Sequence, residues 1–193
     1  MTTLVIVGND KIGGEALQKI ISIKGIDIFC DRSTNLNRVF RLIRRRKISF
    51  ILVMKMYLAE IQRKGKKPGK KIPTIKSNQN LFERIKENKY KKIILFRAGL
   101  IVNKKIIDSG IDIYNIHAAS LPAFAGIGSI NKALILKAYS QSATLHRLTE
   151  SIDSGEIISE IGYTLDPSKS YLANENIAYS SAIKLLVNTI EKS

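Results

Sequence analysis

The amino-acid sequence predicts an α/β fold, with an open, mostly parallel, Rossmann-like sheet that carries helices on both faces. Segments with the apolar pattern of strands alternate with segments of helical spacing, which is the order typical of a parallel sheet. The chain opens with TLVIVG, a β-branched run that ends in glycine and precedes a helical segment. The segment KKIILFRAG has a continuous apolar centre, as expected for a strand buried under helices on both faces.

The same patterns place each element in order along the chain. Strands are predicted at residues 3–8, 26–32, 72–77, 91–99, 111–117, 142–150 and 155–165. Helices are predicted at residues 14–25, 33–47, 50–61, 78–89, 103–110, 129–139 and 174–192. We see no repeat, linker or second core, so residues 1–193 are predicted to form a single domain.

Two of these predictions concern the middle of the chain. The helix at 50–61 is apolar at most positions, with its polar residues on one side, so we expect it to be largely buried. The following stretch, RKGKKPGKK, contains two glycines and a proline among basic residues, which predicts a mobile loop.

The composition bounds the class of protein. A chain of 193 residues with 45% hydrophobic residues can form a core without disulfides or metal. The single cysteine, Cys30, lies in a predicted strand, where we expect a buried thiol rather than a nucleophile. The N-terminus lacks the pattern of a signal peptide, and the longest apolar run, ISFILVM, falls far short of the roughly 20 residues of a spanning helix. We therefore expect a cytoplasmic protein with no membrane span.

The positive charge of the chain is concentrated in one segment. Residues 38–71 hold thirteen Lys and Arg against one acid, Glu60, and so carry +12 of the formal net charge of +16. Such a patch could neutralise phosphates of a nucleic acid, a nucleotide or a lipid surface. The alternative is a solvated helix face followed by a lysine-rich loop. Interleaved aromatics, zinc spacing and a recognition-helix signature are all missing from the sequence, so no specific nucleic-acid partner is expected.

Unusual residues follow three of the predicted strands. Gly8 to Gly14 follow the first strand, Arg97 to Gly99 follow the central one, and Asn115 to His117 end the next. Ligands of open parallel sheets bind at the carboxyl ends of strands, where loops and helix N-termini converge. If these strands are neighbours, the three groups share one crevice.

The most informative of these segments contains one of the two histidines of the chain. Asn115 and His117 are two residues apart, so on an extended strand both side chains leave the same face. Downstream, Asp153 lies in a turn-forming Asp-Ser-Gly between two predicted strands. An amide, an imidazole and a carboxylate suit attack on a carbonyl, with Asn115 stabilising the oxyanion, His117 supporting that charge or moving a proton, and Asp153 acting as base. Alternatively, Asn115 and His117 have a structural role, either as caps or as buried polar side chains whose hydrogen bonds are made within the core.

The longer string carries a family resemblance. NIHAASLPAFAG, followed by a helix and then ATLHRLTESIDSGEII, resembles the folate-dependent formyltransferases, whose motif is Asn-x-His, Leu-Pro, Gly and His, and later Asp-x-Gly-x-Ile-Ile. The separation of 36 residues from His117 to Asp153, and of 7 from His146 to Asp153, agrees with the family pattern. The sequence departs from that pattern at Phe124 and Ala125, and at Glu156, where a proline is common.

The resemblance implies a formyltransferase fold, a reaction and a set of site residues. Asn115, His117 and Asp153 would be catalytic, the cosubstrate would be 10-formyltetrahydrofolate, and no metal would be needed. His146 would support the Asp153 loop as a structural side chain. The residues implied to bind the folate are Phe96, Arg97, Ala98, Gly99, Leu100, Ile101, Glu150, Ser151 and Ile152.

The formyl acceptor is inferred by comparison within the family. Relatives that formylate methionyl-tRNA carry a C-terminal RNA-binding domain, whereas this sequence ends one helix after its last strand. Glycinamide ribonucleotide formyltransferases match the length but open with a Gly-x-Gly-Ser-Asn phosphate loop. We therefore expect a nucleotide-diphosphate amino sugar, such as dTDP-4-amino-4,6-dideoxyglucose, used in surface polysaccharide such as O-antigen. Phosphoribosylglycinamide formylation is the alternative, and Gly8, Asn9, Asp10 and Lys11 are predicted to bind the acceptor.

Two alternatives to an active formyltransferase stay open. The 38–71 segment could make the protein a basic nucleic-acid-binding module, with binding that depends strongly on salt and not on Asn115 or His117. Alternatively, the altered residues after His117 could belong to a catalytically silent relative that binds folate without turnover. Family members of this type are often dimers, so the resemblance also makes a homodimer an open alternative.

Overall fold

The computed structural model describes residues 2–33 and 36–192, and it confirms the predicted α/β fold. A seven-stranded sheet has the order β3-β2-β1-β4-β5-β6-β7, in which β1 to β5 are parallel to one another, β6 is antiparallel to β5, and β7 is antiparallel to β6. The strands are β1 (Thr3–Gly8), β2 (Ile26–Asp31), β3 (Thr74–Ile75), β4 (Lys92–Phe96), β5 (Asp112–His117), β6 (Ser140–Arg147) and β7 (Ile157–Thr164).

The helices also follow the predicted order. They are α1 (Lys11–Ile20), α2 (Leu36–Arg44), α3 (Phe50–Gln62), α4 (Asn78–Asn88), α5 (Lys104–Ile107), α6 (Ser129–Ile135) and α7 (Tyr171–Glu191). Residues 34 and 35, which fall in the second predicted helix, lie outside the described residues. α1 begins earlier than predicted, because the Asp10 carboxylate caps it by accepting a hydrogen bond from the Gly13 N–H. None of the described helices is long and apolar enough to cross a membrane.

Helices cover both faces of the sheet and divide the core into two clusters. On one face, Ile94 and Phe96 of β4 pack with residues of α1, α6 and α7. On the other face, Ile93 and Leu95 of the same strand pack with residues of α4 and α5. Successive side chains of a strand point to opposite faces, so a strand with both faces covered must be apolar throughout.

The helix at 50–61 is where the sequence prediction is wrong. In α3 only Leu52 and Ala59 are buried, and its large apolar side chains are mostly exposed. The reason is its position: α3 lies along the carboxyl edge of the sheet, where Leu52 touches Gly128 and Glu60 accepts a hydrogen bond from the Lys11 N–H. A helix at the edge is covered on one side only, whatever its composition.

A buried ion pair fixes the end of α3. The guanidinium of Arg63, the residue after this helix, donates to the carboxylate of Glu175 on α7, and both side chains are almost completely buried. Arg63 also donates to Asn176. Three residues later, the carbonyl oxygen of Lys66 lies directly against Gly14. The 63–71 segment, predicted to be mobile, is therefore held at two points.

The backbones of β1 and α1 approach each other closely at Gly13. A Cβ atom at Gly13 would lie 1.9 Å from the carbonyl oxygen of Gly8, which is backbone at the end of a buried strand. Alanine gains about 1 kcal/mol of helix propensity over glycine, but we expect this overlap to outweigh it. Gly13→Ala should lower the free energy of unfolding by about 1–3 kcal/mol in urea denaturation.

Gly69→Ala is the matched control, because a Cβ there has nothing within 4 Å. A Gly13→Ala protein as stable as the parent would contradict the close contact between β1 and α1.

Candidate active site

The three strand ends singled out in the sequence are neighbours. β4 lies between β1 and β5, so the segments after Gly8 and Phe96 and the residues up to His117 meet at one edge of the sheet. The chain runs from β1 to β2 on one side of the sheet and from β4 to β5 on the other. A crevice therefore forms between the ends of β1 and β4, as is usual in such sheets. The condition for a shared crevice is fulfilled.

The antiparallel pairing of β5 and β6 determines what surrounds Asn115. Asn115 lies opposite His146 in the register, and its amide Nδ2 is 3.0 Å from His146 Nε2. The His146 ring is fully buried, and its Nδ1 donates to the carbonyl oxygen of Arg147 at 3.1 Å. In the neutral ring, Nε2 is therefore the acceptor and fixes the amide of Asn115.

The carboxylate of Asp153 joins these groups. Oδ2 accepts a hydrogen bond from the Gly126 N–H at 2.9 Å and lies 3.3 Å from His117 Nδ1. Oδ1 lies 3.4 Å from both Asn115 Nδ2 and His146 Nε2. Asp153 adopts a left-handed backbone with φ of 51°, which turns its side chain back towards β5. The amide, the imidazole and the carboxylate predicted from the sequence are thus in contact.

Burial sets the protonation of His117. The Phe124 carbonyl oxygen can only accept, so His117 Nε2, 2.8 Å away, carries the hydrogen. Desolvation lowers the pKa of His117 from its usual 6.5, against the opposing effects of the Asp153 charge and the Phe124 carbonyl. The ring is therefore neutral at pH 7, and its Nδ1 presents a lone pair beside the carboxylate.

The carboxylate of Asp153 remains charged next to this ring. Burial would raise its pKa, but the contact with His146, the charge of a protonated His117 and the Gly126 N–H prevail and lower the pKa from its usual value. At neutral pH the pair is thus a carboxylate with an unprotonated imidazole nitrogen facing it. One proton placed between the two would be shared by both groups, so the pair can act as a base.

The two segments predicted to contact the folate lie next to each other. The ammonium group of Lys104, just after the 96–101 segment, donates to the carboxylate of Glu150. Ile101 and Ile152 both expose more than half of their side chains there, and Ser151 is exposed as well. These side chains form an open, partly apolar surface beside Asp153.

Other residues of the same prediction have internal partners. Phe96 is buried and packs edge to face on Tyr179, with ring centroids 6.4 Å apart. The N–H groups of Gly99 and Leu100 donate to the buried carboxylate of Asp31. Ala98 packs against the core cluster below α4. These residues hold the loop in place, whether or not its outer side binds a ligand.

The side chain of Arg97 also faces inward. Its Nε donates to Asp10 Oδ2 at 2.7 Å, and its guanidinium lies 4.6 Å from the Tyr179 ring and 4.0 Å from Glu175. Desolvation would lower the pKa of Arg97, but Tyr179, Asp10 and Glu175 raise it above its usual value. Arg97 is a permanent cation that joins the Gly8 loop to α7.

The predicted acceptor loop lines a polar cavity. A cavity of about 360 Å³ is bordered by Asn9, Asp10 and Arg97 together with Asp31 and Arg32. The ammonium group of Lys11 does not reach it as a free cation, because it donates to the carbonyl oxygens of Ile61 and Arg63 at 2.8 and 2.6 Å. Gly8 lies against the Arg97 backbone.

Several groups that shape the site were not predicted from the sequence. The Phe124 carbonyl and the Gly126 N–H lie in the recognised motif, but a motif carries no information about backbone hydrogen bonds. Arg32 follows a predicted strand and could have been found by the rule that ligands bind at strand ends. Glu175 and Tyr179 are ordinary residues of an amphipathic helix, and we find no sequence signal for their role.

Comparisons with known proteins found a matching family and several proteins of the same fold. The model of the formyl transferase family matches residues 47–188. The methionyl-tRNA formyltransferase of Pseudothermotoga lettingae is 26% identical over 123 residues, which cover 61% of this chain and 41% of that protein. The chain therefore spans about two fifths of the length of this curated relative.

Solved structures show the same fold. A 4-N formyltransferase from Francisella tularensis has a TM-score of 0.67 at 18% identity, covering 98% of this chain and 67% of that one. A phosphoribosylglycinamide formyltransferase from Bacillus halodurans has a TM-score of 0.65 at 16% identity, covering 100% of this chain and 94% of that one. At such identities these likenesses concern the fold.

The contact between His117 and Asp153 can be tested by titration. NMR of the imidazole resonances should give His117 a pKa below 6.5, because desolvation prevails. Asp153→Asn should lower this pKa further, since it removes the charge that stabilises the imidazolium. The chain has two histidines, so a His146→Gln protein assigns the resonances.

Asp108→Asn, which changes a largely exposed carboxylate on another element, should leave the titration unchanged. A His117 pKa that does not move in Asp153→Asn would contradict the contact.

Proposed function

The chain belongs to the formyl transferase family, and we propose that it transfers a formyl group from 10-formyltetrahydrofolate to the amino group of a nucleotide-diphosphate amino sugar. The observation that carries this proposal is the contact of Asp153 with Asn115 and His117. Such a cluster offers an oxyanion donor beside a base, and none of its members is a hydroxyl, thiol or amine nucleophile. It therefore fits direct attack of a substrate amine on a formyl carbon.

Asn115 stabilises the negative charge of the tetrahedral intermediate. One hydrogen of its amide is fixed by His146 Nε2 at 3.0 Å, while the other points to Asp153 Oδ1 at a long 3.4 Å. An oxyanion at normal hydrogen-bond distance competes well for the second hydrogen, because that bond to Asp153 is weak. The donor is held before the reaction, so little reorganisation is needed as the charge develops.

His117 and Asp153 take up the proton of the amine. As the amine nitrogen bonds to the formyl carbon, it becomes positively charged and loses a proton to the Nδ1–carboxylate pair, directly or through a water molecule. The bond from the formyl carbon to the folate nitrogen then breaks, and that nitrogen leaves with a proton. The products are the formamide and tetrahydrofolate, and the base returns to its starting state.

The surface formed by Ile101, Ser151 and Ile152 supports folate as the donor. Exposed apolar side chains beside a catalytic carboxylate suit a flat, partly apolar ring with polar edges. The Lys104–Glu150 ion pair connects the two segments on which these residues lie. This surface lies on the same side as Asp153, which supports its use as the binding surface of the formyl donor.

The acceptor is supported by the cavity of Asn9 and Arg32 and by the similarity to amino-sugar enzymes. Arg32 borders this polar cavity at the end of β2 as a permanent cation, which suits a phosphate group. The Francisella protein of the same fold is a 4-N formyltransferase. We infer that the formylated sugar made by this chain is used in surface polysaccharide such as O-antigen. Phosphoribosylglycinamide is the second candidate, because this chain covers 94% of the Bacillus halodurans enzyme that acts on it.

An acceptor panel separates these candidates. The protein is incubated with 10-formyltetrahydrofolate and, in turn, dTDP-4-amino-4,6-dideoxyglucose, glycinamide ribonucleotide and methionyl-tRNA, and tetrahydrofolate is followed by absorbance. We expect turnover with the amino sugar. Asn115→Ala should lower kcat roughly a hundred- to a thousandfold, and Asp153→Asn by a similar factor, since each removes a group that acts in the transition state.

Asn88→Ala, on the exposed face of α4, is the control and should leave kcat unchanged. Turnover with no acceptor, or Asn115→Ala and His117→Ala proteins as fast as the parent, would overturn the proposed reaction. Turnover with glycinamide ribonucleotide alone would replace the sugar by the second candidate.

The pH dependence of kcat/KM provides an independent check. The competent base requires a neutral His117, whose pKa is lowered from 6.5, and an ionised Asp153, whose pKa is lowered from 3.8. Considering only His117 and Asp153, kcat/KM should therefore stay high to below pH 6.5. It should then fall as the pH drops through the pKa of His117. Protonation of the substrate amine also lowers kcat/KM at low pH, and the pKa of this second effect changes with the acceptor. The decrease that comes from His117 should be absent in His117→Gln.

A further inference from the structure

α3 lies along the edge of the candidate site. At its N-terminal half, Leu52 touches Gly128, two residues from the Gly126 that donates to Asp153. At its C-terminal half, Glu60 accepts from the Lys11 N–H, and Arg63 pairs with Glu175. The helix thus extends from the Asp153 side of the crevice to the start of α1.

The outer face of α3 is a continuous apolar stripe. At 100° per residue, the exposed large apolar side chains fall within an arc of roughly 120° along the whole helix. Ile51 exposes 68% of its side chain and Phe50 exposes 61%. Soluble proteins rarely expose contiguous patches of this kind unless something binds there. The stripe consists of Phe50, Ile51, Met54, Tyr57, Leu58 and Ile61.

Basic side chains lie at both ends of this stripe and along one border. Lys55 and Gln62 border it on one side. α2 and the turn before α3 supply a basic cluster at one end, and the segment after Arg63 supplies another. The exposed members are Arg41, Arg44, Arg45, Arg46, Lys47, Lys55, Lys64, Lys66, Lys67, Lys70 and Lys71.

We propose that the α3 stripe docks on an anionic lipid bilayer, with the helix lying in the plane of the interface. The exposed face of α3 offers large aliphatic and aromatic side chains, and the flanking segments offer Lys and Arg, which are the two kinds of group that interfacial helices use to bind anionic bilayers. The apolar side chains enter the region below the headgroups, and the basic residues bind the anionic headgroups. α3 has only 13 residues, so it lies on the bilayer and does not cross it.

Two other binding partners of the stripe, a nucleic acid and a second copy of the chain, fit less well than a bilayer. A nucleic acid would pair with the cations but leave Ile51, Leu58 and Ile61 without a partner. Phosphates and base edges make few favourable contacts with aliphatic side chains. A second copy of the chain would cover the stripe but would bring two segments of charge +12 against each other. An anionic bilayer satisfies the apolar and the basic groups together.

Binding to lipid vesicles tests this proposal without any need for turnover. The protein is sedimented with vesicles of phosphatidylcholine alone and of phosphatidylcholine with phosphatidylglycerol, at low and at high salt. We expect binding to the anionic vesicles that weakens with salt. Ile51→Ser with Leu58→Ser should reduce the partition coefficient at least tenfold, and replacing Arg44, Arg45 and Lys47 by Gln should reduce it roughly a hundredfold.

Matched controls use the opposite edge of the sheet. Ile21→Ser removes an apolar side chain of similar exposure, and replacing Lys24, Lys89 and Lys91 by Gln removes three exposed charges near the amino ends of β1 and β4. Both control proteins should bind vesicles nearly as the parent does. Unchanged circular dichroism and thermal unfolding of all variants establish that the fold is kept.

Several results would overturn the proposal. These are no binding to anionic vesicles, equal binding to neutral vesicles, or equal losses in the control and α3 variants. A dimer in light scattering that dissociates in Ile51→Ser with Leu58→Ser would assign the stripe to a second copy. Binding of an RNA duplex that depends on the same two apolar residues would assign it to nucleic acid. Because formyl transfer is measured separately, failure here leaves the proposed function untouched.

Discussion

The rest of the site depends on the half-buried carboxylate of Asp153. A carboxylate withdrawn from water is costly unless hydrogen bonds and opposite charges compensate for the loss of hydration. Here the compensation comes from the amide of Asn115 on β5 and from the N–H of Gly126 in the loop before α6, while the His146 ring near the end of β6 holds that amide in place. Each segment must be in place for the anion to be tolerated. The requirement therefore fixes the relative positions of Asn115, His117 and His146.

A second charged network, away from the first, holds the surrounding frame. Arg97 connects Asp10 to Tyr179, and Arg63 connects the end of α3 to Glu175. The Arg63–Glu175 pair is almost completely buried, and breaking it would leave a buried charge without its partner. The first network contains the candidate catalytic groups, whereas the second joins α3 and α7 to the loops at the strand ends. This separation explains why several charged residues at the strand ends are occupied by the protein itself.

The position of α3 links the frame to the outer surface. The buried pair at Arg63 and the contact of Leu52 with Gly128 hold the helix at the edge, so its outer face has no element of the described chain to cover it. The same contacts place that face beside the crevice that holds Asp153. A surface bound through α3 would therefore lie close to that crevice.

The local pattern of the sequence was sufficient for the order of strands and helices. Alternation of apolar runs and helical spacing depends on neighbouring residues, and so does the placing of Asn115 and His117 on one face of β5. The motif around Asp153 also identified the family. The sequence could not determine the environment of α3, because an apolar composition favours burial but does not decide which surface is present to provide it.

The partners of the charged groups were likewise decided only by the tertiary structure. Arg97, Asp10 and Lys11 were predicted to bind ligands, yet their side chains bond to Tyr179, to one another and to the backbone at the end of α3. These contacts join residues separated by 50 to 87 positions. The residue types at strand ends are written in the sequence, but which distant group satisfies each charge depends on how the helices pack.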